Sequence, residues 1–183
     1  MTDTIKVTCE NIGATIDAPM GTTLGDIARE LNIATARPFL AAYVNHRIKE
    51  LGYKIYTPVT VRFIDITSFE GIRVYQRTCW FLLQKAAAER YPGRKLHIRH
   101  SMGGSGFYCE IEGIDEFPRE EAAALRDCMR RLADADLPIR RRKTFTSEVR
   151  EIYRRQGLDD KVALLDTRPR LYSDLYTLDG LAG

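Results

Sequence analysis

Lys95-Leu96-His97-Ile98-Arg99-His100-Ser101-Met102-Gly103-Gly104-Ser105-Gly106-Phe107-Tyr108-Cys109-Glu110 reads as a strand, a glycine-rich turn and a second strand. Leu96, Ile98 and the Phe107-Tyr108-Cys109 run suit a pleated surface, and the glycines supply positive φ at the bend. Helical periodicity flanks the hairpin on both sides. Before it, Val74, Cys79, Phe81, Leu82, Leu83, Ala86 and Ala87 mark a helix over 72–91, stopped by Pro92-Gly93. Its apolar face is broad enough for a central buried helix. After it, Pro118 opens a helix with Glu120 and Glu121 in the first turn, where the helix dipole favours acids. Leu125, Cys128, Met129 and Leu132 form its core stripe. A hairpin between two such helices predicts an α+β unit, a long helix packed on an antiparallel sheet.

Downstream, 137–145 is a basic extended segment. Thr146 or Ser147 caps a helix over 149–156 that Gly157 stops. Residues 161–165 lead to a turn at Pro169, and 171–178 form a final strand. Upstream, Thr67-Ser68-Phe69-Glu70-Gly71 is a polar joint, which sets the boundary between a unit 1–66 and a unit 67–183. In the first unit, Ile5, Val7 and Cys9 alternate, and Asn11-Ile12-Gly13 turns the chain into a strand over 14–18. Thr22 or Thr23 caps a helix carrying Leu24, Ile27, Ala28 and Leu31, and strands follow at 40–44 and 60–64. One helix against a mixed sheet within so few residues is a β-grasp layout.

The 183 residues, 44% hydrophobic and 29% charged, are those of a soluble globular protein of one or two domains. The net charge of +3 allows a local basic patch and specifies no partner. Cys9, Cys79, Cys109 and Cys128 are scattered without a C-x-x-C pair, which suits inert free thiols in the cytoplasm. The polar start at 1–5 is no signal peptide, and no apolar run is long enough to span a bilayer.

Three clusters bear on chemistry. His97 and His100 sit three apart on a strand, which sends them to opposite faces unless a bulge intervenes, so no metal site is expected. Their plain reading is surface histidines beside a turn, with Cys109 the third candidate ligand for zinc. Gly103-Gly104-Ser105-Gly106-Phe107 lacks the final glycine of a nucleophile elbow and reads as a turn. Arg140-Arg141-Arg142-Lys143, with Arg150, Arg154 and Arg155 beyond, is the densest positive charge. It is either an edge strand whose cations deter edge pairing or a surface for the phosphates of RNA or a nucleotide. Alternation puts Arg140 and Arg142 on one face and Arg141 and Lys143 on the other. Ile139 and Phe145 share the Arg141 face, so that face is expected to turn to the core, with Arg140 and Arg142 facing a ligand. The tyrosines and Trp80 read as core or half-buried surface, without the stacking pattern of an RNA-recognition sheet.

Pro19-Met20-Gly21-Thr22-Thr23-Leu24-Gly25-Asp26-Ile27-Ala28, followed by Ala41-Ala42-Tyr43-Val44-Asn45, resembles the TGS domain, a ubiquitin-like module at the front of threonyl-tRNA synthetases and some GTPases. The second unit is similar to the editing domain of threonyl-tRNA synthetases, on Tyr91-Pro92, Gly106-Phe107-Tyr108 and the order of elements. That resemblance implies two histidines on the long helix and a late cysteine and histidine. Here the helix positions fall on Arg77 and Phe81, and the late pair falls near Tyr176 and Gly180. Phenylalanine and glycine offer no ligand atom, and arginine cannot act as a base, so the resemblance implies a scaffold without its hydrolytic site and no catalytic residue.

Val61-Arg62-Phe63-Ile64-Asp65-Ile66-Thr67-Ser68, Arg154-Arg155-Gln156-Gly157-Leu158-Asp159-Asp160-Lys161-Val162 and Leu171-Tyr172-Ser173 resemble the amino-terminal part of bacterial uridine (nucleoside) kinases with a synthetase-like front end. This implies a non-catalytic regulatory or ligand-binding front end. A downstream kinase domain would be its partner, using ATP and magnesium, since G-x-x-x-x-G-K-[ST] is missing here. Two other functions stay open: an RNA-binding module related to threonyl-tRNA synthetase, and a residual aminoacyl-ester hydrolase. Arg140, Arg142, His97 and His100 are the candidate ligand- or RNA-binding residues, with no cofactor in this chain.

Overall fold

Strand β1 (Thr4–Cys9) buries Ile5, Val7 and Cys9 and exposes the residues between, the alternation of a half-buried strand. It pairs antiparallel with β2 (Ala14–Pro19) and parallel with β5 (Val59–Ile64). Beyond β5 lie β3 (Ala41–Val44) and β4 (Arg47–Lys49), completing a sheet of order β2-β1-β5-β3-β4. The single helix α1 (Leu24–Glu30) starts at Thr23, whose hydroxyl accepts the Asp26 amide at 3.1 Å. The same hydroxyl is the main reason the Asp26 carboxyl stays below its usual range. Leu24 and Ile27 are fully buried among Val7, Val61, Phe63 and Ile55. Covering each is worth about 1.5–3 kcal/mol. The five-stranded mixed sheet with one helix is the expected β-grasp. β4 is an addition, formed where Asn45 and His46 both take positive φ and reverse the chain.

This computed structural model describes residues 3–103, 106–167 and 170–183. By contacts the chain divides into two compact units, Met1–Cys79 and Trp80–Gly183, a division inside the long helix α2 (Phe69–Arg90). The joint expected at 66/67 lies in the segment between β5 and α2, where Ser68 prepares the helix start. Its hydroxyl accepts the Gly71 amide at 3.0 Å and donates to the Asp65 carbonyl at 3.0 Å.

The helix is not the buried rod its composition suggests. Only Gly71, Ala86 and Ala87 are buried along it, while Phe69 is 68% and Tyr75 48% exposed. Burial needs neighbours, and in the second unit these gather around its last turns. There Ala86, Ala87, Leu82 and Leu83 meet Leu125, Leu132, Cys128 and Met129 of α3 (Arg119–Asp134). Trp80 meets Phe107 edge-on, with ring centroids 4.8 Å apart. Phe107 opens β7 (Phe107–Ile111), which pairs antiparallel with β6 (Leu96–Ser101). The glycine turn joining them includes Gly104 and Ser105, which lie outside the described residues, as does the expected turn at Pro169.

The remaining elements form a second layer pair. β8 (Arg140–Phe145) and β9 (Tyr172–Leu178) are antiparallel, and β10 (Leu181–Ala182) closes a sheet of order β10-β9-β8. Helices α4 (Thr146–Arg155) and α5 (Asp159–Asp166) lie between β8 and β9 in sequence. Val149 and Tyr153 of α4 pack on Leu175 and Ala182, with Val162 and Leu165 of α5 beside them. The expected side-chain cap of α4 is absent: the Thr146 hydroxyl is 2.9 Å from Ser173 Oγ instead, tying the helix start to β9. Gly157 takes φ +67 and ends the helix as expected. Among the described residues no helix is long and apolar enough to cross a membrane.

Candidate nucleic-acid interface

β8 is an edge strand, paired only with β9 among the described residues. Arg140, Arg141, Arg142 and Lys143 are all exposed along it. Register decides which face each takes. Arg142 sits opposite Leu175 and Thr144 opposite Ser173. Residues directly opposite share a face. Leu175 is 2% and Thr144 9% exposed, so the Arg140–Arg142–Thr144 face is the one α4 covers. The expectation that the Arg141 face turns to the core is therefore overturned. The apolar neighbours misled it: Ile139 is 40% and Phe145 50% exposed, and the short Thr144 side chain is what fits beneath the helix.

Each cation then finds its own surroundings. From the helix side, Arg142 reaches Glu148 at 2.7 Å, and the Thr144 hydroxyl donates to the same carboxylate. The Thr144 bond first, and Arg142 after it, hold the Glu148 carboxyl below its usual range. Arg140 forms no ion pair among the described residues. On the face away from α4, where Leu178 of β9 is buried at the far end, Arg141 meets Asp174 at 3.1 Å, and the Lys143 ammonium lies 5.5 Å from the Tyr172 ring centroid. Phe145 and Tyr172 stack on that face. This aromatic pair went unread in the sequence. Its signal was Phe145 two and four residues from Lys143 and Arg141, on one face of one strand.

The β6–β7 hairpin places the two histidines differently from expectation. Its register shifts between Ile98 and Ser101, so the bulge that would break their alternation is present. His97 stands opposite Glu110, and His100 stacks on Tyr108 with centroids 5.4 Å apart, so both share the Tyr108–Glu110 face. They do not act together, however. His97 Nε2 is 2.9 Å from Glu112, and Arg99 takes Glu110 at 2.8 Å. Among the described residues no group of three His, Cys, Asp or Glu side chains is placed to hold a metal. Burial pushes the Cys109 thiol up, away from thiolate reactivity.

The four positions to which the editing-domain resemblance points, Arg77, Phe81, Tyr176 and Gly180, have structural surroundings of their own. Arg77 is exposed on α2. In the second unit the Phe81 ring lies against Gly183, 2.7 Å from where a Cβ would stand. Tyr176 exchanges backbone hydrogen bonds with Gly183 at 3.2 and 2.9 Å. Gly180 takes φ +82 in the β9–β10 turn, and its carbonyl accepts the Gln156 amide at 3.1 Å. Lys85 fastens the turn to α2, donating to the Asp179 carbonyl at 2.8 Å. A ring, a turn glycine and a strand tyrosine thus meet at the β9–β10 end of the second unit.

No family model matches the chain. It is similar to the threonine–tRNA ligase of Rubrobacter xylanophilus, 30% identical over 157 residues, which is 86% of this chain and 24% of that ligase. It is also similar to the threonine–tRNA ligase of Francisella tularensis subsp. tularensis, 25% identical over 157 residues, 86% of this chain and 25% of that ligase. The chain thus spans about a quarter of the length of the relatives it matches. The similarity runs through both units and agrees with the α+β architecture of each.

Proposed function

We propose that the chain is a non-catalytic RNA-binding module related to threonyl-tRNA synthetase, with a TGS-like first unit and a second unit derived from an editing domain. The observation that carries it is the similarity to ligases that act on tRNA, extending over 86% of the chain. An exposed strand of four consecutive cations supports it, because cations clustered on one edge meet a phosphate backbone. Phe81 and Gly180 support the absence of catalysis, since neither can move a proton or bind a metal. The proposal includes RNA as partner and no cofactor in this chain. Arg140, exposed and without an ion pair among the described residues, is the first candidate contact. Arg142 would have to leave Glu148 to join it, and His97 and His100 would serve only at the hairpin.

No observation favours the front end of a uridine kinase over this reading, and the relatives named above are ligases. Two assays on the intact chain test it. Fluorescence anisotropy with a labelled unstructured RNA at low salt is expected to show a complex. Incubation with aminoacyl-tRNA, with and without added zinc, is expected to leave the ester intact above a blank. Absence of binding at low salt contradicts the module, and protein-dependent deacylation revives the hydrolase.

A further inference from the structure

The face of β8–β9 turned away from α4 carries an exposed aromatic stack set among cations. Phe145 and Tyr172 stand directly opposite each other in register. Their ring centroids are 4.9 Å apart with 27° between the planes. Both rings are about half-exposed: Phe145 is 50% and Tyr172 45% exposed. Lys143 lies over Tyr172 from the same face, and Arg141 follows two residues along. Asp174, an acid on this face, pairs with Arg141 at 3.1 Å. An exposed ion pair of this kind is weak, so the guanidinium can exchange partners at small cost.

Flat rings beside cations match one ligand chemistry closely. Single-stranded nucleic acid offers uncovered base faces for the rings and phosphates for the cations, whereas a duplex hides its base faces by stacking. The geometry points to a stacking site for unpaired RNA bases on Phe145 and Tyr172, with Lys143 and Arg141 meeting the flanking phosphates. This rests on the RNA-binding reading and adds the form of RNA and the residues that read it. It also transfers the contact from the Arg140–Arg142 face to the opposite one. Stacking is tolerant of base identity, so the site accepts single strands without sequence preference.

The test compares a labelled unstructured RNA, a duplex of equal length and inorganic polyphosphate as a base-free polyanion. Phe145→Leu keeps an apolar side chain and loses the aromatic face, while Phe145→Tyr keeps the face. The intact chain is expected to prefer the single strand over both other ligands. Phe145→Leu and Tyr172→Leu are each expected to weaken it about tenfold, with the salt dependence unchanged, and Phe145→Tyr to bind as the parent does. Asp174→Asn is expected to tighten binding by removing a negative charge beside Arg141 and Lys143. Equal affinity for duplex and single strand, or normal binding by Phe145→Leu, overturns the stacking site and leaves RNA binding standing. A dimer that Phe145→Leu converts to monomer assigns the face to a second copy and overturns it too. Failure of every RNA to bind at low salt removes the underlying reading instead.

Discussion

Gly71 sits where no side chain fits. A Cβ built there would lie 1.7 Å from the Asp65 carbonyl oxygen and 2.9 Å from Ser68 Oγ. Two effects oppose each other in Gly71→Ala. Helix propensity favours alanine by about 1 kcal/mol. The clash is with backbone, which no rotamer change relieves, and overpacking of this kind costs about 1–3 kcal/mol. The clash should win, so Gly71→Ala is expected to lower the midpoint of denaturant unfolding. Gly52→Ala is the control, because nothing lies within 4 Å of its Cβ position and its φ is not left-handed. Equal stability of the two variants would show that the start of α2 is looser than its hydrogen bonds indicate. At the same scale, Thr146 marks a limit of sequence reading. A threonine before a helix reads as a cap, but its hydroxyl is engaged by Ser173, a partner 27 residues away.

Between elements, α2 and α3 are joined by polar contacts around two glutamates. Arg90 holds Glu121 through Nε at 2.9 Å and a second nitrogen at 3.1 Å, and the Tyr91 hydroxyl donates to the same carboxylate. These partners, Arg90 first, hold the Glu121 carboxyl below its ordinary value of 4.5. Arg131, first, and Lys85 do the same for Glu89. A carboxylate with a depressed folded-state pKa contributes stability that is complete above its unfolded value. That stability is lost as pH falls through the folded value. The chain is therefore expected to weaken below about pH 4.5. Glu121→Gln should be less stable at pH 7 and show a shallower acid limb in unfolding monitored by circular dichroism. An unchanged limb would mean that these exposed pairs contribute nothing measurable.

Elements with a long repeat were legible in the sequence. The alternation of Ile5, Val7 and Cys9 and the stripe Leu125, Cys128, Met129 and Leu132 lie where the pattern put them. β4 and β10 were not legible, because strands of three and two residues carry no period. The turns that create them, at Asn45–His46 and Asp179–Gly180, take positive φ. The face of β8 was misread for a related reason. Alternation tells which residues share a face, and only the neighbouring α4 tells which face is covered. Ile139 and Phe145 pointed one way in the sequence, and Thr144 alone pointed the other.

For the whole molecule, the net charge of +3 is too small to drive RNA binding by itself. What matters is where the cations lie, and β8 gathers four of them on one edge. A core tolerates substitution when its pattern is kept, so similarity can persist at 25–30% identity. Phe81 and Gly180 carry no acid–base group. The most direct test is the dependence of RNA affinity on salt, measured for the intact chain with an unstructured single strand. Each neutralised phosphate contributes about −0.7 to the slope of log affinity against log salt. Three contacts from β8 give a slope of about −2. Replacing Arg141 and Lys143 by alanine together should flatten it by two contacts, and replacing Arg140 and Arg142 should flatten it less. A slope near zero, or one unmoved by all four replacements, would contradict the assignment of this strand to RNA.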